Sequence, residues 1–227
     1  MRTARVEPGR PAARGLVGAV LTRDLTVGGE RWSKGRRLSA EDLACLAVEP
    51  APPARVAGPG GGGFGRRSGA VTVLVPEPGD VHEDVAALRL AEAVRGPGLE
   101  VRGPNESRVD LVAAEDGVVH VGVAAVERID RIDPLEVFTV FDGQVVSAGD
   151  LVASVKVAPH LVDEAVLEVG EALAARFRPV VRVAPFRPMR VGVLVKETVG
   201  EQARQRFEAS VRAKVEGLGS RIVALEY

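Results

Sequence analysis

Aromatic side chains are scarce in this sequence: six Phe, one Trp and one Tyr, or 4% of 227 residues. Little material is left for the stacking platforms that hold single-stranded nucleic acid. Cysteine is scarcer still. Cys45 stands alone, which excludes an intrachain disulfide, a Cys-based zinc site and an iron–sulfur cluster. No apolar run approaches the ~20 residues of a membrane helix. The opening MRTARVEPGRPAARG carries arginines without the apolar stretch of a secretory signal. No charge sign dominates either. Thirty Lys and Arg against 31 Asp and Glu leave a net charge of −1, so no large field favours DNA, RNA or anionic lipid. These absences predict a cytoplasmic protein whose partners include neither nucleic acid nor membrane.

What is present is ordinary globular material, 46% hydrophobic and 27% charged, enough for one good core or two small ones. Residues 1–14 are polar and proline-bearing, and predict a frayed arm. Residues 15–38 are short apolar runs broken by Gly28-Gly29 and Lys34-Gly35, which predict small strands or hairpins. Ser39, with Asp42 three residues on, opens a short helix by an acidic capping box. The stretch EDLACLAV places Cys45 on the apolar face of that helix, as a buried inert thiol.

The stretch GPGGGGFGRRSG at 58–69 has the glycines of a phosphate loop but not its setting. Prolines precede it, the strand AVTVLV follows it, and no Gly-Lys-Ser/Thr closes it. A flexible insertion is expected, with nothing to hold Arg66 or Arg67 on an anion.

A helix then starts near Asp80, which is expected to cap the amide of Glu83, with Val81, Val85 and Leu88 on its apolar face. Residues 109–157 are rich in Val, Leu and Phe between Gly-bearing turns and predict a compact β region, interrupted by a helical turn in AAVERIDRIDP. PHLVDEAVLEVGEALAARF predicts a helix with Pro159 in its first turn and Val162, Val166, Val169 and Leu173 on one face. The tail runs strand, helix, strand: PVVRVAP and RVGVLVKE, then a helix to Leu218 with Phe207, Val211 and Val215 as its stripe, then RIVALEY. Strands joined through a helix lie parallel. Such a pair leaves a sheet short of partners, to be completed by PVVRVAP or a second copy.

Among chemical candidates, His82, His120 and His160 are expected to lie far apart on different elements, as surface or satisfied histidines, and they lack metal-ligand spacing. Asp80, Glu83 and Asp84 are explained by helix capping, with a magnesium site as the alternative. Lys156 lies inside an alternating strand, where a solvent-facing lysine is expected and a prosthetic-group carrier is the alternative. The most suggestive stretch is APFRPMRVGVLVKET. Arg187 and Arg190 flank the start of a strand, and Lys196 and Thr198 follow its C-terminal end. Ligands of open α/β sheets bind beyond such ends, where a following helix also offers amides to a phosphate.

Four stretches in chain order carry a resemblance: LVGAVLTRDLTVGGERWSKGRRLSAEDLACL, EPGDVHEDVAALRLAEAV, AGDLVASVKVAPHLV and VVRVAPFRPMRVGVLVKETV. Together they resemble bacterial molybdopterin-binding proteins related to molybdopterin molybdenumtransferase, some of which are fused to a nucleotidyltransferase-like domain. At NESRVDLVA, Ser107 and Asp110 stand where such relatives carry Gly and Asn. The resemblance implies binding of molybdopterin, or the molybdenum cofactor, in cofactor biosynthesis or maturation. If the chain is an enzyme, the implied reaction is metal insertion. Implied partners are the pterin-phosphate ligand and a molybdoenzyme or cofactor-assembly protein. The alternative is a non-catalytic interaction module that docks to one of those proteins. The expected architecture is mixed α/β: a small N-terminal α+β part at 1–57, the insertion at 58–69, a β-rich sandwich-like middle at 70–178, and the start of a three-layer α/β molybdopterin-binding-like domain at 179–227.

Overall fold

The described residues combine helices and strands, giving a mixed α/β protein. The computed structural model describes residues 1–49 and 69–227. The expected glycine-rich insertion, with Arg66 and Arg67, lies outside the described residues except for Gly69.

The first core gathers around a central strand. β1 (Arg2–Val6), β2 (Val20–Leu21), β3 (Leu25–Val27), β4 (Glu30–Trp32), α1 (Ala40–Val48) and β5 (Val71–Val75) build it. β5 alternates cleanly, with Val71, Val73 and Val75 buried, and pairs antiparallel with β1 on one side and β2 on the other. The expected frayed arm is therefore a strand: Arg2 to Val6 pair with Val75 to Val71. The physical reason is the demand of β5 for a second neighbour, which Ala4 and Val6 meet by packing on the core. The boundary expected at residue 57 also moves, because this core is closed by β5. Gly28 and Gly29 join β3 to β4 with both φ angles positive, 57° and 85°, the backbone a tight two-residue hairpin requires.

The capping box forms as expected. The Asp42 amide donates to Ser39 Oγ at 3.0 Å, and the Ser39 amide donates to Asp42 Oδ2 at 2.9 Å. Leu43 and Leu46 are the apolar side chains that α1 buries. Cys45 points away from them and is exposed, correcting the expected buried thiol. Burial works to raise the Asp42 pKa, but the Arg36 guanidinium and the Ser39 amide outweigh it and hold the carboxyl below its ordinary range. A depressed carboxyl adds stability above its unfolded pKa and loses it as pH falls through the folded value. Asp42→Ala is expected to cost about 1–2 kcal/mol at neutral pH. The gap to the parent should narrow below about pH 4, and denaturant melts at both pH values check it. A gap that widens in acid would contradict the Arg36 contribution.

The second core is the larger. Its elements are β6 (Asp80–His82), α2 (Glu83–Val94), β7 (Leu99–Asn105), β8 (Arg108–Ala113), β9 (Gly117–Val121), α3 (Val123–Ile129), β10 (Leu135–Thr139), β11 (Val145–Val146), β12 (Leu151–Val157), β13 (Leu161–Asp163), α4 (Glu164–Arg176) and β14 (Val181–Pro185). Two antiparallel sheets, ordered β10-β12-β8-β7 and β11-β9-β14, contribute to one hydrophobic cluster with α2, α3 and α4.

The expected helix faces need correction. α2 buries Ala86, Ala87, Leu90, Ala91 and Val94, while Val85 and Leu88 are 43% and 37% exposed. Small alanines allow close approach to the sheet, so the bulkier face is turned outward. α4 starts at Glu164, capped by Asp163, and buries Leu167, Gly170 and Ala174. Val162 lies in β13, ahead of the helix, and Val169 is exposed. Lys156 on β12 is exposed, opposite Glu136 and Arg108, as a solvent-face lysine should be. Asp130, capping α3, accepts from the Val137 amide of edge strand β10 at 2.8 Å, which covers a polar group that edge-to-edge association would use.

The last unit is β15 (Arg190–Leu194), α5 (Glu201–Glu216) and β16 (Arg221–Glu226), with the two strands parallel as expected. PVVRVAP does not extend this pair. It forms β14, which pairs with β9 and buries Val181 and Val183 in the second core. The middle unit therefore runs beyond residue 178. In the first half of α5, Arg204 lies 3.6 Å from the Tyr227 ring centroid, and the Tyr227 hydroxyl donates to Glu208 Oε1 at 2.8 Å.

Candidate functional site

Lys196 and Thr198 lie in the segment from the C-terminal end of β15 to the start of α5, and both are exposed. The Val195 amide donates to Glu226 O at 2.9 Å, anchoring that segment to the end of β16. No side chain caps α5 at Gly200; the Ala203 amide turns back to Gly200 O at 3.0 Å, which leaves the Glu201 and Gln202 amides for an acceptor. Arg187 and Arg190 are also exposed, but they stand at the other end of β15. Six residues separate Arg190 from Lys196, about 20 Å of extended chain. The fold thus divides the four expected residues into two pairs.

A second constellation escaped the sequence. His82 and His160 were expected to be remote, yet β6 and β13 pair antiparallel, with Leu161 opposite His82. His160 Nδ1 lies 2.9 Å from Glu83 Oε1, and the Glu83 amide donates to His160 O at 3.0 Å. Glu83 is 6% exposed. His82 Nε2 lies 2.8 Å from Gly35 O, so it carries the proton, because a carbonyl only accepts. His82 Nδ1 then accepts from the Asp84 amide at 3.3 Å, which makes His82 the N-cap of α2. Asp80, the expected cap, instead accepts from the Glu77 amide. Asp84 Oδ1 accepts from the Ser107 amide at 3.1 Å. Ser107 has φ +64°, a backbone angle that favours glycine.

Beside this cluster is a cavity of about 250 Å³, lined in part by Arg37, Asp80, His82, Val85, Arg89 and Leu161. Arg89 spans from α2 to Glu171 and Glu164 on α4, and the hydrogen bonds it donates to these carboxylates, Glu171 first, raise its pKa despite burial. Both ring nitrogens of His82 are engaged, leaving none free to move a substrate proton. The chemistry of the cluster is fastening: it ties the Gly35 turn of the first core to the second. The local signal was a similarity between DVHED and LVDE, each a short strand running directly into a capped helix. His120 lies apart, on β9 opposite Arg182.

Among the described residues, no group of three or more His, Cys, Asp or Glu side chains is placed to hold a metal ion. No described helix is long and apolar enough to cross a membrane. Comparison of the chain with protein-family models, curated proteins and solved structures returns no match.

Proposed function

We propose that the protein binds molybdopterin, or its molybdenum-bearing form, during cofactor maturation, and that the phosphate of this ligand sits at the C-terminal end of β15. The observation that carries the phosphate assignment is the run from Lys196 to Gly200, which links a strand of a parallel pair to the uncapped start of a helix. Lys196 supplies a mobile positive charge, Thr198 a hydroxyl, and the helix start its amides and dipole. These groups suit a phosphate. Arg187 and Arg190 lie too far along β15 to share that phosphate, and they suit a second acidic group of an extended ligand. The pterin identity rests on the resemblance of the sequence. This fine architecture, the opening of a three-layer pterin-binding domain, belongs to the same proposal.

Lys196→Ala together with Thr198→Ala is expected to weaken molybdopterin binding about tenfold to a hundredfold, the loss of one or two charge-assisted contacts. Calorimetric titration with molybdopterin measures it, with circular dichroism as the folding control. Equal affinity of variant and parent would remove the site. Binding of inorganic phosphate without molybdopterin would leave an anion site and remove the pterin.

A further inference from the structure

We propose that the end of the middle unit formed by the turns at 114–117, 141–144 and 147–150 is a docking surface for a basic amphipathic segment of a partner protein. The surface is on a different unit from the phosphate site and stands whether or not that site holds a pterin.

The apolar part is unusual for so aromatic-poor a chain. Phe141 is 86% exposed, Val145 60% and Leu151 45%. Strand register shows how they continue into an apolar row. Val145 lies opposite Val118, and Val118 lies opposite Ala184, so the three stand side by side on one face of the β11-β9-β14 sheet. Their neighbours Val119 and Val183 turn to the other face and are buried. A turn closed by the Gln144 amide donating to Phe141 O at 3.2 Å joins Phe141 to β11, and the Val140 amide donating to Val152 O at 2.9 Å keeps Phe141 near Leu151.

The polar part is predominantly acidic. Residues 113–121 and 140–151 contain Glu115, Asp116, Asp142 and Asp150 and no Lys or Arg, while β14 adds the half-buried Arg182 to the same face, opposite His120. All four carboxylates are exposed. Three of them also brace the turns: Asp142 accepts from the Val121 amide at 2.9 Å, Asp116 from the Ala148 amide at 2.8 Å, and Asp150 from the Ser147 amide at 2.8 Å. Charge and apolar surface are therefore held in place before any partner arrives, which limits the ordering cost of association.

Charge complementarity selects the occupant. Carboxylates repel phosphate backbones and anionic lipid headgroups, whereas a segment with Lys or Arg around an apolar anchor satisfies both parts of the surface. Three apolar side chains protruding from a braced β end offer the anchor contacts.

The probe is a short fluorescent amphipathic helix made of leucine and lysine, followed by anisotropy. The intact chain should bind it, and binding should weaken with salt as exposed charges are screened. Phe141→Ser with Val145→Thr should weaken binding about tenfold with unchanged circular dichroism. Glu115→Gln, Asp142→Asn and Asp150→Asn keep the turn acceptors, remove three of the four charges, and should flatten most of the salt dependence. Phe207→Ser on α5 should change nothing. Equal binding by the Phe141 variant, equal binding of a leucine–glutamate helix, or binding of phosphatidylserine vesicles would overturn the proposal. So would concentration-dependent self-association lost in the Phe141 variant, since the occupant would then be a second copy.

Discussion

Leu90→Ala will lower the unfolding free energy by about 3–4 kcal/mol, the upper part of the range for a buried leucine. Leu90 is fully buried on α2. A Cβ placed on Gly170 of α4 would lie 3.5 Å from Leu90 Cδ1 and run into Leu135 Cδ1. The two helices and β10 thus meet where one partner has no side chain, and the void left by Leu90 cannot close without moving α4. Gly170→Ala alone gains about 1 kcal/mol of helix propensity and loses more than that to the Leu135 clash. In the Leu90→Ala background Leu135 gains room to retreat, so the second substitution should cost less than it does alone. Urea denaturation of the two single variants and the double gives the coupling. Strict additivity would mean that Gly170 and Leu90 do not share this space.

Glu83→Ala is expected to cost about 3 kcal/mol. It removes a buried acceptor from His160 and leaves that ring without its partner at the junction of the two cores. Glu83→Gln keeps a side-chain acceptor for His160 Nδ1 and should cost about 1 kcal/mol. Gly35→Ala attacks the same junction from the other side. Gly35 has φ +81°, and an added Cβ would run into Glu83 Oε1. It should therefore destabilise on its own and cost less once Glu83 has been shortened to alanine. Hydrogen exchange at the Gly35 amide, which donates to Leu21 O at 2.8 Å, reports whether the turn loosens with the junction. Unchanged protection in Glu83→Ala would show that the cluster does not fasten the first core.

These two sites differ in how far the sequence announced them. Local chemistry was legible: the Ser39–Asp42 box, the Gly28-Gly29 hairpin and the parallel tail all depend on residues close in the chain or on one crossover. The faces of α2 were not, because large apolar residues suggested a face that small alanines occupy instead. Packing distance decided that, and periodicity does not encode it. Cys45 was misplaced for a related reason, since Leu43 and Leu46 orient a short helix and the residue between them has no say. The first strand was hidden because its partner β5 starts 69 residues on, Val71 against the start of β1 at Arg2 in chain order (71 − 2), and the pairing joins Arg2 to Val75. His82 and His160 meet through strands of three residues each, too short to leave a pattern. Of the four proposed ligand residues, their places along one strand were legible, and with them the division into two ends.

The central place of β5 also sets an order of events during synthesis. β1 and β2 have no partner in each other: both pair with β5. When Glu49 has left the ribosome, the first core still lacks the strand that joins its two edges, and Val75 lies 26 residues further on (75 − 49). At about 5–20 residues per second, the newborn chain carries β1 without a partner, and β2 held on one side only by Arg36–Leu38, for roughly one to five seconds. Its first unit therefore becomes foldable as a whole only when a segment from beyond the glycine-rich stretch arrives, and a chaperone that meets nascent strands has its window there.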